Sequence, residues 1–167
     1  MFEEGLELLL AVVQRAEITG ELLDFVTVMI QLMESGGENI KRILHILEGY
    51  VITSPIVLQK YTFLIVERVS EMLGSLKLEA SNSLLRLLDL MLQANQSETV
   101  SAIYGGTLIS KLFLVVLTEG DNNQVIVGYL LVICRLIICD SELFVQILDS
   151  KGALSSFLSV LVGKVHV

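Results

Sequence analysis

The sequence predicts an all-α protein, an open α-α superhelix (solenoid) of about four antiparallel helix pairs, and three observations predict it. Apolar residues recur with the helical period along the whole chain, with no run of clean strand alternation. The helical stretches are long and the polar breaks between them short, which makes sequential neighbours antiparallel. The odd-numbered helices start near residues 3, 38, 79 and 122, at intervals of 35, 41 and 43 residues.

Each element follows from its own residues. The first helix, Glu3 to Arg15, carries Leu6, Leu9, Leu10 and Val13 on one stripe. The second, Gly20 to Met33, follows Thr19, whose hydroxyl suits the free amides of a first turn, and ends at Ser35-Gly36-Gly37. The third, Glu38 to about Ile52, sets Ile40, Ile43, Leu44, Leu47 and Val51 on one face. Its other face holds Glu38, Lys41, Arg42, His45 and Glu48.

The fourth helix starts at Ser54-Pro55, where proline's missing amide costs nothing, and runs to Leu73 before Gly74. The fifth spans Glu79 to Gln93 with Leu84, Leu87, Leu88 and Met91 aligned. A sixth follows the cap Ser97 to about Leu117, and Gly105-Gly106 inside it should weaken or kink it, at about 1 kcal/mol per glycine relative to alanine. The seventh lies between Asp121 and Cys139. The eighth starts at Asp140-Ser141 and is interrupted or ended near Ser150-Lys151-Gly152, with 153–162 as its continuation.

The intervals are close to the roughly 40–47 residues of HEAT and armadillo units, so the fold is HEAT/ARM-like. The predicted pairs are 3–35, 38–75, 78–118 and 121–163, forming one solenoid segment over 1–167. Hydrophobic residues make up 53% of the chain and charged residues 18%, against roughly 45–50% and about 25% in ordinary domains. A repeat buries its apolar faces against both neighbours, so this excess is expected of a piece of a longer array.

Composition also bears on function. A spanning helix needs roughly 18 or more nearly uncharged residues. The longest run without Asp, Glu, Lys or Arg, Asn122 to Cys134, has 13. Acidic Glu3, Glu4 and Glu7 are the opposite of a signal peptide's basic start. Of the net charge of −8, −7 lies in residues 1–38, which disfavours nucleic acid and suits a basic protein partner. Cys134 and Cys139 stand five apart, on different sides of a helix, and are read as small apolar core residues.

No catalytic, cofactor or metal site is expected. His45 and His166 have no partner at ligand spacing, and Tyr104-Gly105-Gly106 is too short for a phosphate cradle. Glu67 and Glu71 pair only as i, i+4 on a helix, without a pocket to set their acidities apart. From geometry alone, Lys60, Glu67 and Glu71 fall at i, i+7 and i+11 on the fourth helix. They are the candidate protein-binding stripe, against the plainer reading of a solvated face.

Two stretches resemble a known family. Phe2-Glu3-Glu4-Gly5-Leu6-Glu7-Leu8 is similar to an acidic-acidic-Gly-Leu-Glu-Leu segment of importin-β (karyopherin-β) superfamily receptors, specifically the importin-11 subfamily. Glu38-Asn39-Ile40 and Ile46-Leu47-Glu48-Gly49-Tyr50-Val51-Ile52 resemble that subfamily's next repeat, where a Gly-Tyr pair ends the helix. Cys134 to Ile138, followed by Leu143-Phe144, is a fainter echo. Residue-level agreement thins beyond about residue 75, and Phe2 and Leu9 stand where the subfamily carries tryptophans.

The resemblance implies a C-terminal-half segment of a nuclear transport receptor, a shuttling HEAT superhelix in cytoplasm and nucleus. Such receptors carry protein cargo through nuclear pores, and GTP-bound Ran releases it. Second helices of each pair would line the concave, cargo-facing side, and first helices the convex side that meets phenylalanine-glycine nucleoporins. Ran binding belongs to N-terminal repeats not in this chain. Gly5, Gly49 and Tyr50 read as structural. Two other functions use the same helices: a HEAT/ARM scaffold or regulatory subunit, and a membrane-associated helical protein.

Overall fold

The computed structural model describes residues 4–9, 20–35, 39–53, 59–73, 78–118 and 122–152, and single positions 155, 156, 158, 159 and 162. Residues 4–9 are helical. Eight α-helices of ten or more residues follow among the described residues, and there is no strand among them. They are α1 (Gly20–Ser35), α2 (Ile40–Thr53), α3 (Thr62–Met72), α4 (Leu78–Ala94), α5 (Gln96–Gly105), α6 (Leu108–Thr118), α7 (Asn123–Cys139) and α8 (Ser141–Ser150).

The helices form two layers. In one, α2, α4 and α7 stack side by side in a row. In the other, α1 packs on α3, and α3 packs on both α5 and α6. The layers are joined by α1 on α2, α4 on α5, α6 on α7 and α7 on α8. One continuous core runs between them, from Leu6 through Leu47 and Leu88 to Leu148.

The apolar stripes predict this core well. Ile40, Ile43, Leu44, Leu47 and Val51 are all buried, as are Leu84, Leu87, Leu88 and Met91. Each such side chain contributes roughly 1.5–3 kcal/mol by leaving water. Tyr50 is fully buried, and burial pushes its phenol up to about 12. Phe113 of α6 meets Phe144 of α8 edge-to-face, with centroids 5.7 Å apart.

Gly105-Gly106 does break the sixth predicted helix, and the axes of α5 and α6 meet at 72°. Gly106 is extended (φ −111, ψ −162), so the helical ladder stops there. The eighth helix ends at Ser150, with Gly152 left-handed at φ +67. Asp140 caps α8, its Oδ1 accepting from the Leu143 amide at 3.0 Å. Asn122 caps α7 more loosely, at 3.4 Å from the Val125 amide.

Several expectations are corrected. The residue capping α5 is Asn95, not Ser97, and it makes no side-chain cap bond. Within the predicted fourth helix, Gln59–Tyr61 form a 3-10 turn before α3 begins at Thr62. Glu48 is 7% exposed, not on a solvated face, because the neighbouring α4 covers it. Cys134 is exposed and Cys139 half-buried. Gly5, read as structural, is exposed, and a side chain there would meet open space. Thr19, Ser54, Pro55 and the helix beyond Leu9 lie outside the described residues.

Candidate protein-interaction surfaces

Stacked helix pairs are joined by ion pairs at a regular station. Glu7 accepts from Arg42 at 3.2 Å, Glu48 faces Arg86 at 3.6 Å, and Asp89 accepts from Arg135 at 2.8 Å. The three acids, Glu7, Glu48 and Asp89, are spaced by 41 and 41 residues. The arginines come from different turns of the following helix, which their long stems allow. Arg135 is held charged more firmly than usual by its hydrogen bond to Asp89.

Aligning the helices of the first-helix layer exposes a contrast on its outer face. α4 and α7 are both 17 residues long and start 45 apart, and buried positions of one fall on covered positions of the other. On α4 the outward stations hold Asn82, Arg86, Asp89 and Gln93. On α7 the equivalents are Val127, Leu131, Cys134 and Ile138. Val127 is 54%, Leu131 62% and Ile138 74% exposed. On α2, 41 residues before α4, they are Lys41, His45 and Ile52, with Glu48 at the same register but buried beneath α4. The outer face thus turns from mainly polar on α2 and α4 to apolar on α7.

Between α4 and α7 runs a groove of about 390 Å³ lined by Asn82, Leu85, Arg86, Val127, Gly128 and Leu131, among others. Gly128 sets its depth. A Cβ there would stand 2.7 Å from Asn82 Oδ1 and 2.8 Å from Leu85 Cδ1, so glycine lets the two helices approach. The α7 wall is apolar at Val127 and Leu131 and polar at Asn123 and Gln124, and the α4 wall sets Leu85 among Asn82, Arg86 and Asp89.

The second-helix layer carries the stripe predicted from spacing. Glu67 and Glu71 lie on one exposed side of α3, but Lys60 sits in the 3-10 turn, with its ammonium 5.0 Å from the centre of the Tyr61 ring. Glu71 pairs with Arg68 at 3.0 Å. The structure therefore ties Lys60 and Glu71 to local neighbours and leaves Glu67 different from both. Glu67 lines a cavity of about 320 Å³ at the elbow, with Phe63, Val66, Ser70, Ala102, Gly105, Gly106, Thr107 and Leu108. The Ser70 and Thr107 hydroxyls satisfy each other at 2.7 Å, and Lys111 donates to the Ser70 carbonyl.

Among the described residues no single helix is long and apolar enough to cross a membrane. The α5–α6 pair reaches the length only across its 72° bend.

A two-layered row of helix pairs with an ion-pair station every 41 residues defines a helical-repeat protein. The sequence model of the family described as "Importin-11-like, TPR repeats" matches residues 1–162, and the chain belongs to that family, one of nuclear transport receptors. It is 27% identical over 112 residues to "Importin beta-like protein kap113" of Schizosaccharomyces pombe; the match covers 66% of this chain and 11% of that protein. The chain thus spans only a small part of its relative. No solved structure matches. The 41-residue station is nearer the length of HEAT units than the roughly 34 residues of TPR units.

Proposed function

We propose that this chain is a protein-binding segment of a nuclear transport receptor, one that carries protein cargo on its second-helix layer and meets phenylalanine-glycine nucleoporins on its first-helix layer. The outward stripe of Val127, Leu131, Cys134 and Ile138 supports this most directly. Its register equivalents on α4 are polar, and no described element covers it. An apolar stripe held in water costs solubility, and it is the kind of feature that marks a binding site. The groove beside it suits an extended peptide, with Leu85, Val127 and Leu131 for an apolar side chain and Asn82 for its main-chain amides.

The whole receptor is proposed to work by Ran-dependent import, with Ran bound by N-terminal repeats of the parent, and to shuttle between cytoplasm and nucleus. Many modest inter-pair contacts would let the array flex around cargo, and the acidic balance would steer basic partners. Leu131→Asp is expected to abolish binding of a Phe-Gly repeat peptide in fluorescence polarisation while leaving the melting temperature within a degree or two, because Leu131 is exposed. In a pull-down with the full-length parent, adding Ran loaded with GTP should release bound cargo. Cargo retained at every Ran concentration would point to a static scaffold instead.

A further inference from the structure

We infer that the elbow cavity is a receptor for a single lysine or arginine side chain presented by a bound protein, an inference that rests on the second-helix layer being the cargo side. Three features converge. Phe63 is 60% exposed, an aromatic ring held at the cavity on the rigid first turns of α3. Glu67, one helical turn further on, brings a carboxylate to the same space and makes no ion pair or hydrogen bond among the described residues. The glycines keep the room open: a Cβ at Gly105 would meet nothing, and one at Gly106 only the Ala102 carbonyl at 3.3 Å.

The sign of the ligand follows from what else is present. The α5 carboxyl end and the α6 amino end meet at the elbow, and their opposite dipoles offset each other. The Ser70 and Thr107 hydroxyls are already paired, and the Lys111 ammonium is engaged at the Ser70 carbonyl. Glu67 therefore sets the polarity. An apolar occupant would strip water from its carboxylate without replacing it, which is costly. A cation with an apolar stem lies along Val66 and Ala102, stacks on Phe63 and ends at Glu67. The volume, about 320 Å³, is at the small end of ligand pockets and fits one long side chain. Glu71, on the next turn of α3, is occupied by Arg68 and is not part of the site.

The test is an NMR titration of the ¹⁵N-labelled chain with acetyl-Gly-Leu-Lys-Leu-Gly-amide and with the same peptide carrying norleucine for lysine. The lysine peptide is expected to shift the amides of Phe63, Glu67, Gly105 and Gly106 saturably. Norleucine, Glu67→Gln and Phe63→Ala should each weaken binding by about tenfold, the loss expected when a charged contact is removed. Glu71→Gln should change nothing. Equal losses for Glu67→Gln and Glu71→Gln would mean only a diffuse acidic field and would overturn the site. So would equal binding of the two peptides, or shifts confined to other residues. Titrating the wild-type chain with the Phe-Gly peptide as well separates the two readings. If the Phe-Gly peptide fails to bind wild-type chain while the lysine peptide still maps to the elbow, the transport reading falls and this site stands; the reverse removes the site and leaves transport intact.

Discussion

At the scale of single residues, burial decides the outcome of substitution. Leu47 is fully buried, and aspartate there loses about 1.5–3 kcal/mol of apolar burial and adds an unpaired charge, so Leu47→Asp should unfold the chain at temperatures the wild type survives. Glu67→Ala should stay within about 0.5 kcal/mol by urea denaturation. Gly128→Val should cost about 1–3 kcal/mol in the same assay, since its added carbons collide with the Asn82 and Leu85 side chains, which must repack. The tyrosines add a pH signature. Tyr50 and Tyr104 both have phenols pushed up to about 12, mainly by burial. Below about pH 9 both states keep these protons and stability is unaffected. Between pH 10 and 12 the unfolded chain releases them and the folded chain does not, so stability falls with rising pH, by of the order of 2 kcal/mol per tyrosine. Tyr50→Phe should flatten that slope in alkaline melts. The stripe containing Leu47 was readable from spacing alone. The burial of Glu48 was not, because it depends on α4 and Arg86, which lie 38 residues further on.

At the scale of elements, the breaks were the most legible features. Gly105-Gly106, the Asp140 cap and the end at Ser150 all follow from local chemistry, because each depends on a few adjacent residues. The faces of α7 were harder. Its buried side (Ile126, Tyr129, Val132, Ile133, Leu136) and its exposed side (Val127, Leu131, Ile138) are equally apolar, so periodicity could not say which met solvent, and Cys134 was taken for a core residue. Only the comparison with α4 shows the outer stripe as a substitution of apolar for polar side chains. The elbow cavity was illegible for a similar reason. Its walls come from helices about 40 residues apart, and spacing within α3 singled out Glu67 without revealing Phe63. The caps give an ordered prediction: Asp140→Ala should cost about 1 kcal/mol in thermal melts, and Asn122→Ala less, because its bond is longer.

For the whole molecule, the row matters more than any pair. Each first helix touches its neighbours in the row, so damage should travel one step and fade. A Leu47→Asp chain followed by hydrogen exchange is expected to lose protection in α1 to α4 while α7 and α8 retain most of theirs. Uniform loss over all eight helices would mean the array melts as one unit. The ion-pair station has a mechanical corollary. Joints at Glu7, Glu48 and Asp89 are riveted by charge, but the register-equivalent residue on α7 is Cys134, a thiol that cannot grip an arginine. Under tension, or when a load is wrapped, the charge-riveted joints up to α7 should move together as a stiff plate, and slip should concentrate at α8, which meets the array through the Phe113–Phe144 edge contact and the Lys151–Ser110 hydrogen bond.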